Sequence, residues 1–401
     1  MRRAVPTLLV AAVVALSFAL AACGDDKSSS DTGSTSTPAT ADAGGAKPVV
    51  TASAAAALKE ITGEEPLTGA ATVDELTPRV AKYTAVPSKL LETEPVSKKA
   101  EPGKTLAVLV CGVPVCTEFN NAVGDAAKLL GWKVEKIDLG VSPEDFTKAY
   151  DRAIELKPDM VIGSGLPREL FAKQLDTLQE MNIPVIEWSS GIKPVPDHLW
   201  VAVDDPLYEA TGLMFTEWLA ADGDLKANTV AYSVPQYPMP EIMVKTMKDY
   251  FPGACPDCKF DVQEVAVTDI GKLGPKVTGY VQQNPDVKYV LCAFGDLCQG
   301  VGQALKAAGR DDIKVITRDT STTNLQNMAN GLEKATVPLP IGQTGWQIVD
   351  LAQRIFNKDD TANTRLSPIQ IVTDVPDPKS TTVGAVPDYQ DQYKALWQLG
   401  G

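Results

Sequence analysis

The sequence predicts an α/β protein of two lobes, each a doubly wound parallel sheet. From Lys104 onward, short apolar runs alternate with amphipathic helical patterns, the signature of repeated βα units. The runs are apolar on consecutive residues, as in 106–110 (Leu-Ala-Val-Leu-Val), which a strand needs when helices cover both its faces. The series then starts again after Asp204-Asp205-Pro206. Two successive sets imply two lobes with right-handed crossovers.

Residues 1–22 read as an export signal: Arg2 and Arg3, an apolar stretch over about 7–20, then small residues. A membrane-spanning anchor is the alternative, but the apolar run is short for one. Leu20-Ala21-Ala22-Cys23 resembles a lipobox, which implies cleavage before Cys23 and a diacylglyceryl group on its sulfur. Residues 23–50 are a flexible tether, because the Ser/Thr/Asp/Gly/Ala-rich stretch 24–47 offers no apolar face to offset its ordering entropy. Residues 51–103 form an N-terminal extension with short helices at 54–61 and 73–83, expected to pack loosely on the main body.

In the first set, strands fall at 106–110, 133–137, 160–162, 184–187 and 199–203. Gly112 and Pro114 end the first strand, and Thr117 is placed to cap a helix over 118–131 with Phe119, Val123, Ala126, Ala127 and Leu130 on one face. Ser142-Pro143-Glu144-Asp145 starts the next helix with a cap, a first-position proline and acids in the first turn. Gly163-Ser164-Gly165 is the third loop, and Pro167 opens a helix to about 181. A long helix at 208–220 leads into the second set. Its strands are expected near 229–233, 260–266, 288–292, 313–317 and 335–337, with helices near 239–250, 269–283, 297–308, 322–331 and 343–357. The tail reads as a last strand at 369–373 and a small helix at 389–399.

The formal net charge of −14 argues against nucleic acid or an anionic membrane surface, which select clustered Lys and Arg. One histidine, His198, leaves little for imidazole catalysis or a multi-histidine metal site. It precedes a strand, so it is expected at the surface, at the sheet end opposite the loops that bind ligands. No Gly-x-Ser-x-Gly elbow and no Gly-x-x-x-x-Gly-Lys phosphate loop occurs. The reading is therefore of a protein that is not an enzyme, with no metal and no cofactor.

Several phrases resemble the type I periplasmic binding proteins, in particular the ribose-binding-like branch that feeds ABC importers. They include Lys157-Pro158-Asp159-Met160-Val161-Ile162, Asn182-Ile183-Pro184-Val185-Ile186, Asn284-Pro285-Asp286-Val287-Lys288-Tyr289-Val290 and the run from Ala304 through Arg310 to Ile313. The close, with Asp388-Tyr389, Tyr393 and Leu396-Trp397, is similar. The resemblance implies two lobes joined by a three-crossing hinge that closes on a ligand. Carried onto this chain, the crossings lie near 203–206, 338–342 and 367–371. Lobe 1 is then 104–205 plus 341–366, and lobe 2 is 206–340 plus 367–401.

Sugar binders of that family stack the ring on aromatic residues and hold hydroxyls with Asp, Asn, Arg and Gln. By that resemblance Phe119 and Asp319 are pocket residues, and Asp296 falls near an expected Asn-Asp pair, with Gly295 in place of the amide. Elsewhere the chain departs. Trp188-Ser189-Ser190 stands where an Asp-Arg pair is usual, Tyr237 and its neighbours through Glu241 include no arginine, and Leu339 replaces a glutamine, with Gln343 nearby. Arg168 and Arg318 could counter a ligand carboxylate or merely neutralise Glu169 and Asp319. Packing alternatives stand beside these roles: Trp188 at a lobe edge, Phe119 in the first-turn core, Asp319 as a helix cap, Tyr237 on a mobile surface loop. The acids are kept while most arginines and amides are lost, so a ligand more apolar, aromatic or amine-bearing than a simple sugar is allowed.

Seven cysteines less Cys23 leave six, an even set for an oxidising compartment, with fifteen possible pairings. Local pairs Cys111–Cys116, Cys255–Cys258 and Cys292–Cys298 are favoured, since joining Cys111 to Cys292 would lock the lobes together. Cys255-Pro256-Asp257-Cys258 precedes a strand rather than opening a helix, which favours a structural turn over a redox site. The expected function is capture of a small molecule by a monomer, held to the membrane through Cys23, which hands its ligand to an ABC transporter permease. A sensory lipoprotein that presents its closed form to a membrane receptor is the alternative.

Overall fold

The computed structural model describes residues 47–399 except 112, 113, 141, 166, 376 and 381. The expected signal peptide, most of the tether and Cys23 lie outside the described residues. Among those described there are two sheets of five parallel strands. No described helix is long and apolar enough to cross a membrane.

The first sheet comprises β1 (Thr105–Cys111), β2 (Lys133–Gly140), β3 (Met160–Ser164), β4 (Val185–Trp188) and β5 (Leu199–Ala202), in the order β2-β1-β3-β4-β5. Its helices are α3 (Pro114–Leu129), α4 (Pro143–Leu156) and α5 (Ala172–Glu180), joined by α11 (Ile341–Asn357) from later in the chain. Alternation along the strands splits the core in two. Leu106, Val108, Ile162, Ile186 and Trp188 face α3 and α11, whereas Ala107, Leu109, Val161 and Val185 face α4 and α5. Gly345 lets α11 approach α3, because a Cβ there would meet the Phe119 carbonyl oxygen at 3.0 Å. Helix α3 begins at Pro114 rather than at Glu118, since a first-position proline lacks only an N–H that the helix would leave unbonded.

The second sheet repeats the order: β6 (Asn228–Ser233), β7 (Lys259–Glu264), β8 (Tyr289–Cys292), β9 (Lys314–Arg318) and β10 (Ala335–Val337) run as β10-β9-β8-β6-β7. Helices α6 (Asp205–Asp222) and α7 (Pro238–Ala254) cover one face. The other carries α8 (Gly274–Gln283) and α9 (Val301–Ala307), and α10 (Thr322–Ala329) packs at the edge against Val372 and Val375.

The chain passes between the sheets at 203–205, 338–340 and 366–369, close to the three expected crossings. The first and third are tied together: the Val203 amide donates to the Arg365 carbonyl oxygen at 3.0 Å, and the Arg365 guanidinium pairs with Asp204. Val203 has φ 51°, a left-handed value that is a true outlier for a β-branched residue.

Two expectations are corrected. The extension does not pack loosely. Helices α1 (Ala52–Thr62) and α2 (Val73–Thr84) bury Ala54, Leu58, Leu76 and Tyr83 against α6 and α7. Arg79 is bidentate to the fully buried Glu217, at 2.5 and 2.8 Å, and Tyr83 and Tyr250 donate to the same carboxylate. A carboxylate without those donors would be costly at that depth. Further on, the same extension grips the first lobe. Leu90 and Val96 join its core, and Arg354 donates to the Glu94 carbonyl oxygen at 2.6 Å.

The tail is the second correction. Ile369 and Ile371 do pack on the second lobe, where 369–373 makes a single antiparallel bridge, Val372 to Thr336, rather than a strand. Helix α12 (Tyr389–Leu396), however, belongs to the first lobe. Trp397 stacks on Trp346 at 5.4 Å, and its indole N–H donates to Asp350 at 2.7 Å. Asp350 on α11 offers the buried acceptor that an indole needs.

Candidate functional site

In both sheets the strand C-termini face each other, which is where open parallel sheets place ligands. Between them lies a cavity of about 520 Å3. The first lobe contributes Cys111, Cys116, Phe146, Leu170, Trp188 and Ser189. The second contributes Tyr208, Gln236, Tyr237, Met239, Phe294, Asp296, Asp319, Thr320 and Ser321, and Leu339 and Ile341 come from the second crossing.

Trp188 ends β4 and is 4 % exposed. One face of its ring stacks on Phe119 at 4.3 Å and 25°, and its indole N–H has no partner in the protein. Across the cleft Tyr237 meets Phe294 edge-on at 5.5 Å. A hydrogen-bonded line joins the lobes: Ser189 Oγ lies 3.2 Å from the Tyr208 hydroxyl, which donates to Asp319 Oδ2 at 3.1 Å. Ser189 and Asp319 occupy matching places, each following the fourth strand of its sheet. Each has a left-handed φ, 54° and 56°, and each amide donates to the end of the neighbouring strand, at Ala202 and Val337. Strained backbone repeated at both strand ends marks positions that the surrounding structure over-determines.

Arg318 is fully buried and pairs with Asp319, with its guanidinium 4.7 Å from the centre of the Tyr208 ring. Burial pulls it below the usual arginine range. Beneath the cleft floor, burial pushes the Glu187 carboxyl up to about 8, against the opposing effect of the hydrogen bond donated by Tyr150. Gly163 is required there, because a Cβ would collide with both of those side chains.

Of the residues expected at the site, Trp188, Ser189, Tyr237, Asp296, Asp319 and Leu339 line the cavity. Four do not. Phe119 lies behind Trp188 in the core, so the packing alternative describes it. Arg318 sits under Asp319 and Tyr208. Gln343 is buried, with its Oε1 accepting from the Val386 amide at 2.8 Å. Arg168 lies near the His198 ring, whose pKa burial lowers most; the hydrogen bond with the Leu175 carbonyl raises it, and the Arg168 charge lowers it further. His198 itself is buried rather than at the surface, with Nε2 3.1 Å from the Leu175 carbonyl oxygen. Asp319 is no helix cap, since Ser321 caps α10. Sequence reasoning missed Tyr208, Phe294 and Phe146. Phe294 had a readable signal, its place just after β8.

The cysteines pair locally: Cys111–Cys116, Cys255–Cys258 and Cys292–Cys298, with Cα separations of 5.5, 5.3 and 5.6 Å. The first pair lines the cavity. Among the described residues no cluster of His, Cys, Asp and Glu is arranged to hold a metal.

A search of curated protein sequences returns no match. Solved structures with the same fold include an ABC sugar transporter subunit from Rhodobacter sphaeroides, at 20% identity over 68% of this chain and 98% of that one, TM-score 0.58. A glucose-galactose binding protein from Geobacillus stearothermophilus is similar, at 17% identity over 69% and 100%, TM-score 0.58. So is a sugar ABC transporter from Yersinia enterocolitica, at 19% identity over 75% and 96%, TM-score 0.58. The family described as "Periplasmic binding protein domain" matches residues 108–360, more than half of the chain, and the chain belongs to that family.

Proposed function

We propose that this protein is an extracytoplasmic solute receptor that traps a small molecule between its lobes and delivers it to an ABC permease. The observation that carries the reading is the cavity of about 520 Å3 bounded by strand-end loops of both lobes, so that a guest touches both and favours the closed form. Trp188, Ser189, Tyr237, Asp296, Asp319 and Leu339 make the contacts, and binding involves no covalent step. Residues 1–22 direct export, and a lipid on Cys23 holds the receptor at the membrane face as a monomer. Lobe 1 comprises 104–205 and 341–366 together with the terminal helix; lobe 2 comprises 206–340 and the start of the tail.

Native mass spectrometry of the purified protein tests the reading. A co-purified small molecule of defined mass at one per chain, lost on unfolding, is the expected result. A chain that carries nothing and retains no member of a broad solute library would overturn it.

A further inference from the structure

Resting on that reading, the cleft's own chemistry narrows the ligand. We infer that it selects an organic cation with a flat apolar body, rather than a sugar. Its charged lining is acidic only: Asp296 and Asp319, with no Lys or Arg among the described lining residues. Arg318 is fully buried outside the lining, with Nη1 against Asp319 and the Val337 carbonyl oxygen and with Nε and Nη2 unpartnered, and its charge offsets that of Asp319. That leaves Asp296, which is exposed, and whose side chain accepts from the neutral Gln299 amide at 3.1 Å. The cleft therefore carries a negative charge that a cationic guest balances.

The same cavity is lined by rings from both lobes, Trp188 and Phe146 from one and Tyr237 and Phe294 from the other. Ring faces attract ammonium groups, and by more when water is drained. A sugar would bring hydroxyls that each require a partner once buried; the described lining offers neutral hydroxyls at Ser189, Tyr208, Thr320 and Ser321 and one side-chain amide, Gln236, but no cationic donor.

Calorimetric titration of the purified full chain compares benzyltrimethylammonium with its neutral isostere neopentylbenzene and with glucose, galactose and ribose. The cation is expected to bind at least about tenfold tighter than the isostere, with the sugars weaker still. In Asp296→Asn, where the side chain is exposed and folding should be undisturbed, that preference should fall by about tenfold while thermal stability stays unchanged. A sugar that binds tighter than the cation overturns the inference and leaves the solute-receptor reading standing. A cation preference unaltered in Asp296→Asn also overturns it. Failure of every probe, together with an empty purified protein, contradicts both.

Discussion

Glu187 and Glu333 are buried carboxylic acids whose affinity for protons rises on folding. Burial lifts Glu187 from its usual 4.5 to about 8 and Glu333 to about 7, with hydrogen bonds from Tyr150 and from Asn327 and Asn324 pulling the other way. Between the unfolded and folded values the native state holds more protons, so stability must fall as pH rises through that window. The melting temperature is therefore expected to be higher near about pH 5 than near about pH 9. Glu187→Gln, which keeps an acceptor for Tyr150, should flatten part of that slope. Parallel melting curves for the variant and the parent across the range would contradict the assignment. At this scale the sequence was only partly legible. Trp188, Ser189 and Asp319 could be read because a strand end fixes where the next residue goes. Phe119, Arg168, Arg318 and Gln343 could not, because loop position does not say whether a side chain turns toward the cleft or into the core. Tyr208 illustrates the converse: it lies on a helix, and only the packing of that helix brings its hydroxyl between Ser189 and Asp319.

The elements themselves were read more securely. Consecutive apolar residues and Gly/Pro loops identify covered parallel strands, and they placed both sheets closely. The errors lie where an element's partner comes from far away in the chain. Helix α12 has an apolar face that would suit either lobe; Asp350 and Trp346, both on α11, decide the matter. Helices α1 and α2 are similar, since nothing in the sequence around Glu217 on α6 says that Arg79 is its partner. The disulfides separate stability from pocket shape. The loops closed by Cys111–Cys116 and Cys255–Cys258 are both short, so removing either pair by double Cys→Ser exchange should cost about 2 kcal/mol. Only the first pair lines the cleft. Its loss should also weaken retention of the bound solute, while loss of Cys255–Cys258 should leave retention intact. Equal retention in both variants would show that the first loop needs no clamp.

The molecule as a whole is more tightly strung than a pair of lobes on three strands of chain. The extension is anchored on the second lobe through Arg79 and Glu217, and on the first through Arg354 and the Glu94 carbonyl. It crosses near 84–90, where Gln370 donates to the Thr84 carbonyl and Gln392 to the Ser88 carbonyl. The tail crosses back near 384–388 to deliver α12. These two added passes run beside the expected three and limit how far the lobes can separate. Closure of the cleft is still what the account requires, because a guest held by Trp188 and Phe146 on one side and by Tyr237, Phe294 and Asp296 on the other must bring the walls together. Small-angle X-ray scattering of the ligand-stripped protein, before and after its co-purified solute is returned, tests this most directly. The account predicts a smaller radius of gyration with solute bound; superimposable profiles at saturating solute would contradict it.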